Sequence, residues 1–377
     1  MKKIPFYVPN LSNLELEEIK NVLSLSGKSE KEKLEKEFAK YIGSDYALAT
    51  SSGTGALHLS MTAIDLKRGD KILCSVNSFP NVPEVVRHFD AEPIFVDIDS
   101  DDFNIDLDAL EDILSKNRSK KLKGAIVSHF GGQTTDLNRL YEIAKKYSIL
   151  LIEDASEAMG ATYNGKKVGS MDADITTFSF SKHLKPSISN GGMLVTDNEE
   201  LMDRAKLLIN HALVKSEWDK EGSLGYVYDV VDIGLKYDMS ELEAAYNFAQ
   251  FKKVDKAIKR RQEIAKIYDK ELADVPHITT PVKKRDHTYE LYVIKIDKNR
   301  DSFARELVSK GVEVGLHYIP LHLLTYYKRK YSLRINDFPN ALKNYQHILS
   351  LPIYSKMSDD DAYYVVEKVK EVAKSRV

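Results

Sequence analysis

Between about residue 30 and residue 200 the chain alternates short apolar segments with amphipathic ones, and this rhythm narrows the possible folds more than any other feature. The segments KILCSV, PIFVDID, GAIVSH, LLIED, TTFSF and MLVTD are strand-sized and lack clean in–out alternation. That is the pattern of strands covered on both faces. Helical spacing fills the intervals. KEKLEKEFAKYIG repeats its apolar residues at helical spacing and ends on Gly43, suited to a helix C-cap, and LNRLYEIAKKY lies between two strands. Strand and helix in turn predict an α/β layered domain around a mostly parallel sheet.

A long helical tract, SELEAAYNFAQFKKVDKAIKRRQEIAKIYDKEL, follows from Ser240; its length and Ala-rich start suit a connector between domains. Beyond it, ELYVIKID and VEVGLHYI read as strands, and SFARELVSKG and DDDAYYVVEKVKEVAK as helices. Pro281 and the KKRD run mark a loop. The expected organisation is a large α/β domain with an N-terminal helical segment over 1–245 and a smaller C-terminal α+β domain over 246–377. With 377 residues, 43% of them hydrophobic, the chain has the material for two cores.

Charge narrows the function. Lys+Arg of 55 against Asp+Glu of 57 leaves −2, which gives no general drive toward nucleic acid or anionic membrane. The single cysteine, Cys74, sits inside KILCSV, where it reads as a small core hydrophobe; disulfides within the chain and Cys-based metal sites are excluded. MKKIPFYVPN starts basic but meets two prolines and no apolar h-region, so no signal peptide is expected. A cytoplasmic protein without a membrane span is the expectation.

Four features with chemical potential fall in order at expected strand ends. In TSSGTGALHLSM, small residues lead into a helix whose first N–H groups can meet a phosphate, with Gly53 allowing close approach and Thr54 adding a hydroxyl; an ordinary N-capped helix has the same look. Phe79 follows KILCSV and offers an aromatic face, or simply packs in the core. Asp154 ends an apolar strand, where α/β sheets gather their ligands, or caps the next helix. Lys182 stands 28 residues on, in FSFSKHLKPSISNGG, with Lys185 as a competitor for its role. An acid and a lysine in this relation suggest pyridoxal phosphate, which takes an amine to hold it covalently and a carboxylate to keep its ring nitrogen protonated.

The same strings, in the same order, resemble the DegT/DnrJ/EryC1/StrS sugar aminotransferases over nearly the whole chain. SSGTGALHL, SVNSFPNV, PIFVDIDSDDFNIDLDALE, IEDASEAMGATYNGKKVGSMDADITTFSF, GGMLVTDNEEL, GLKYDMSELEAA, HTYELYVI and GVEVGLHYIPLH each look like a family segment. The resemblance implies an aspartate-aminotransferase-like fold type I and pyridoxal 5′-phosphate as cofactor. It implies that Gly53, Thr54 and Ser179 hold the phosphate, that Phe79 covers the ring and that Asp154 pairs the ring nitrogen. Glu157, where the family often has Gln, is placed near the cofactor's hydroxyl, and Lys236 reaches a phosphate across a homodimer interface. The implied reaction moves an amino group, usually from glutamate, onto a keto carbon of a sugar. The lysine is then the catalytic acid and base.

Three departures shape the substrate reading. The family's lysine stands about two residues further from the FSF strand; the local string Ser181-Lys182-His183-Leu184 fits its usual pattern and favours Lys182 as the catalytic residue. The loop SLSGKSEKEKLEKEF is about three residues shorter than usual and lacks the family's aromatic and threonines. Asp238 stands where Asn or Arg is usual, an unfavourable charge unless Lys236 pairs it. A nucleotide-linked keto-hexose is the family's usual acceptor; the trimmed loop raises a small ketose phosphate such as dihydroxyacetone phosphate as the second reading. A sugar dehydratase using His183, and a non-catalytic regulatory homologue, are the alternatives of other classes.

Overall fold

The computed structural model describes residues 2–24, 27, 29–117, 119–181, 188–215 and 226–375. Two N-terminal helices lead in. α1 (Asn13–Leu23) starts at Ser12, which closes a capping box with Glu15. α2 (Glu30–Ile42) ends on Gly43 at φ 87°, a left-handed cap that disfavours any residue with a Cβ. Its Leu34, Phe38 and Ile42 are buried, and Phe38 meets Phe178 edge to face at 5.1 Å.

A seven-stranded sheet follows. Its strands are β1 (Tyr46–Thr50), β2 (Lys71–Ser75), β3 (Glu92–Val96), β4 (Leu122–Ser128) and β5 (Leu150–Asp154). After the ribbon β6 (Thr162–Tyr163)/β7 (Lys166–Lys167) come β8 (Ile175–Ser179) and β9 (Gly192–Thr196). The order is β1-β9-β8-β5-β4-β2-β3. Only β9 runs against the others, pairing antiparallel with both β1 and β8. All six expected strands are present; β1, the alanine-rich YALAT, was not among them because Ala lacks the β-branched or aromatic signature of a strand. The helices α3 (Gly53–Ala63), α4 (Asn81–Arg87), α5 (Leu107–Lys116), α6 (Leu137–Tyr147) and α7 (Glu199–Leu208) cover the sheet. α5 and α6 pack on one face with Leu73, Val127 and Leu151; α3 and α7 pack on the other with Ile72, Cys74 and Leu194. Cys74 is fully buried. The parallel topology sends the C-terminal ends of β1, β2, β4, β5 and β8 to one edge, and the site lies there.

A hairpin, β10 (Leu213–Lys215) and β11 (Tyr228–Val230), precedes the helical tract. That tract is two helices, α8 (Glu241–Phe251) and α9 (Val254–Leu272), interrupted at Lys252–Lys253. The remainder holds a sheet of order β12-β13-β14, from Ile278–Thr279, Tyr292–Ile296 and Ile348–Leu351. Helices α10 (Arg300–Ser309), α11 (Thr325–Lys330), α12 (Pro339–His347) and α13 (Asp359–Lys374) complete it. The run VEVGLHYI, expected as a strand, is not one. It changes partner midway: Val312 bridges Ile4, and Gly315 bridges Ser350. Neither pairing lasts long enough to make a strand.

We propose the division into 1–245 and 246–377 as the domain organisation. In its support, α9, β13, α10, β14 and α13 bury a separate cluster built on Tyr268, Tyr292, Phe303 and Val369. Two details qualify the line. Ile4 belongs to that second cluster, and residue 245 falls inside α8, whose Ala244, Phe248 and Phe251 share one cluster with the large sheet.

Candidate active site

Gly53 opens α3 immediately after β1, and the reason for glycine is steric. A Cβ there would lie 2.6 Å from Cβ of Ser179, at the end of β8. Ser52 caps the helix, its Oγ accepting from the Gly55 amide at 2.9 Å. Gly192 brings β9 in from the other side; its Cβ would lie 2.4 Å from the Ser52 carbonyl oxygen. Three strand ends therefore close on one helix N-terminus, where the first amides lack intrahelical acceptors.

These residues form one wall of a cavity of about 560 Å³, a size suited to a cofactor and a small substrate. Six of the residues expected to meet a cofactor line it together: Gly53, Thr54, Phe79, Asp154, Glu157 and Ser179. Asp154 ends β5. Its Oδ1 accepts from the Ser156 amide at 3.1 Å and hydroxyl at 2.5 Å, and its Oδ2 from Ser128 Oγ at 3.3 Å. Glu153, one residue earlier, points to the opposite face and accepts from Tyr141 at 2.7 Å. Phe79 stands at the rim, 58% exposed, so its ring is not core packing. It meets Tyr318 edge-on at 5.9 Å.

Glu157 is held from two sides. Its Oε2 accepts from the Gly131 amide at 2.6 Å, and its Oε1 from the Tyr318 hydroxyl. Burial raises its carboxyl to about 7, with Asp154 and Glu290 adding to the rise and the two donors opposing it. Burial, helped by Glu157, pushes the Tyr318 hydroxyl well above the ordinary phenol range.

Two expected residues stand apart. Lys236 does not line the cavity of its own chain. Its Nζ lies 2.8 Å from Asp238 Oδ1 and 3.3 Å from Asn210 Oδ1, so the unusual Asp238 is paired by the lysine named for that role. Lys182, with Lys185 and His183, lies outside the described residues; Ser181 and Asn190, which flank that segment, both line the cavity. Sequence reading missed Tyr318, Ser128, Ser156, Asn77 and Asn81 as wall residues. Tyr318 lay inside the GVEVGLHYIPLH run, but only the fold carries it to β5.

The wall suits pyridoxal phosphate. Among the described residues, Asn77 Nδ2 and Asn81 Oδ1 are buried without a partner, as are polar atoms awaiting a ligand or water. The glycine-cleared helix N-terminus suits a phosphate, and the strand-end carboxylate of Asp154 suits a protonated ring nitrogen. Among the described residues no helix is long and apolar enough to cross a membrane.

Comparison with known proteins bears on the chemistry. The DegT/DnrJ/EryC1/StrS aminotransferase family matches residues 11–370. The spore coat polysaccharide biosynthesis protein SpsC of Bacillus subtilis is 34% identical over 383 residues, covering 98% of this chain and 97% of SpsC. Among solved structures, the sugar aminotransferase Spr1654 of Streptococcus pneumoniae in its PMP form superposes with a TM-score of 0.91 at 24% identity, over 99% of this chain and 100% of that one. DesV of S. venezuelae does so with a TM-score of 0.88 at 26% identity, over the full length of both chains. A cavity at the strand ends whose wall suits this cofactor and a family match over almost the whole length lead to one conclusion: the chain belongs to the DegT/DnrJ/EryC1/StrS aminotransferase family and is a pyridoxal-phosphate-dependent aminotransferase.

Proposed function

We propose that the protein transfers an amino group from L-glutamate to the keto group of a sugar or sugar-derived phosphorylated ketone, in biosynthesis of the surface-polysaccharide kind. The observation that carries this reading is the full-length relation to SpsC, whose name places it in spore coat polysaccharide synthesis. A nucleotide-linked keto-hexose is the first acceptor. A small ketose phosphate is the second, favoured by the short connection between α1, ending at Leu23, and α2, starting at Glu30. The cytoplasm is the proposed location.

Pyridoxal phosphate, when bound, supplies an electron sink that carries the amino group between donor and acceptor. This chain's residues do the rest. Gly53, Thr54 and Ser179 would hold the phosphate, Asp154 would keep a proton on the ring nitrogen, Phe79 would cover the ring, and Glu157 would meet the ring's oxygen. Lys182 would take a proton from the substrate carbon as base and give it back as acid. Lys236 is assigned to the site of a second copy in a homodimer.

The test is an assay of 2-oxoglutarate formation from glutamate against a panel of keto-sugar nucleotides and small ketose phosphates. Turnover with a member of the panel is expected. Turnover with none, by protein that binds the cofactor, would discard the proposed acceptors. Replacing Lys182 and Lys185 singly by Ala assigns the lysine: the Lys182 variant is expected to lose the covalent cofactor absorbance, and its loss in the Lys185 variant alone would reverse the assignment.

A further inference from the structure

Three carboxyl groups, Asp154, Glu157 and Glu290, border the cavity, and no lysine or arginine is among its described lining residues. Charges of one sign this close are not all ionised without compensation. Asp154 has three donors from Ser128 and Ser156. Glu290 has a cation, with Arg261 Nη2 3.1 Å from its Oε2. Among the described residues, Glu157 has two neutral donors, the Gly131 amide and the Tyr318 hydroxyl.

Among the described residues, the titratable groups facing it from each neighbouring element add no compensation. From β5 comes Asp154, and from the segment before β13 comes Glu290. Beside Tyr318, His317 turns its Nδ1 to Ser350 Oγ at 2.9 Å. After β4, His129 directs its ring to Glu153, 3.4 Å away on the far face of the sheet.

We propose that Glu157 carries its proton through the neutral range and serves as a hydrogen-bond donor to an anionic oxygen of the bound cofactor, with Tyr318 as its positioning residue. A neutral carboxylic acid still accepts from both neighbours and has an O–H left to turn into the cavity. An ionised one has no donor to offer and adds an unbalanced charge. Burial, with Asp154 and Glu290, raises the carboxyl to about 7, in the same direction. The proposal concerns the cofactor end of the cavity and holds whichever keto compound is the acceptor.

An infrared difference titration of the holoenzyme between about pH 5.5 and about pH 8.5 tests it. Wild type is expected to show a carboxylic-acid C=O band that disappears with a midpoint above the apoprotein's, itself raised to about 7. Glu157→Gln is expected to lack the band. In Tyr318→Phe the midpoint should rise, because the lost O–H donor favoured the ionised form. Cofactor affinity supplies a second reading: between the apoprotein and holoenzyme midpoints, wild type should lose about tenfold per pH unit relative to Glu157→Gln. No titrating band in wild type, or the same band in Glu157→Gln, overturns the proposal. An unchanged midpoint in Tyr318→Phe overturns the role given to Tyr318.

Discussion

At the scale of single residues, steric reach and proton occupancy decide the site. Gly53 sits where a Cβ would overlap Ser179. Gly53→Ala is expected to cost about 1–3 kcal/mol in unfolding free energy and to lower cofactor retention, since either β8 or α3 must move; thermal unfolding with cofactor content measured in parallel checks both. Asp154→Asn keeps the shape but removes the charge proposed to balance a protonated ring nitrogen, and we expect kcat to fall by about 10²–10⁴ with the fold intact. Steady-state rates beside a circular dichroism spectrum read this out. Glu157 gives the apoprotein a pH dependence of its own. Its carboxyl is raised in the folded state, so its contribution to stability is complete below the ordinary carboxyl range and is lost as pH climbs to about 7. Between about pH 4 and about pH 8, wild-type apoprotein should lose on the order of 2 kcal/mol relative to Glu157→Gln in urea unfolding. Of these residues, Gly53, Thr54, Phe79, Asp154, Glu157 and Ser179 were legible in the sequence, because each sits at the end of a recognisable strand or in a recognisable string. Tyr318, Asn77 and Asn81 were not: an asparagine at the end of a loop gives no sign of whether its amide will be buried.

At the scale of elements, strongly patterned segments were readable and partner-dependent ones were not. α2 was legible from its apolar spacing and Gly43, yet its start is fixed from far away. Glu241, in the first turn of α8, accepts from Ser29 Oγ at 2.8 Å and from the Glu30 and Lys31 amides at 2.6 and 3.1 Å. A carboxylate 211 residues downstream of Glu30 thus caps the helix, a pairing no local pattern announces. Glu241→Ala is expected to destabilise the fold by about 1–2 kcal/mol. Glu241→Gln should recover part of that, because its amide oxygen still accepts; denaturant midpoints for the three proteins measure the order. VEVGLHYI failed as a strand for the same kind of reason. Its apolar residues are used, with Val312 buried in one cluster and Leu316 and Tyr318 against another. Strand identity needs one continuous partner, and the N-terminal segment at Ile4 takes the first half.

At the scale of the whole molecule, an unsatisfied surface and an unsatisfied site point the same way. The hairpin β10–β11 and the segment after it expose Tyr226, Tyr228, Val230, Val231 and Ile233, the last at 87%, an apolar concentration unusual for a surface left in water. The described lining of the cavity, meanwhile, has no lysine or arginine, although the cofactor's phosphate is anionic. Lys236 follows the hairpin, exposed and turned to Asp238 and Asn210. If a second copy covers the apolar surface and carries Lys236 to this cavity, both deficits close in one step. Ile233→Asp combined with Tyr228→Asp should then yield monomers by sedimentation equilibrium and weaken cofactor binding, because the cation would be lost with the interface. Lys236→Ala should leave the assembly intact and still weaken cofactor binding, by about tenfold for a partly screened charge contact. Monomers that bind the cofactor at full strength would separate the hairpin from the site, and Lys236 would then be only the counter-charge of Asp238.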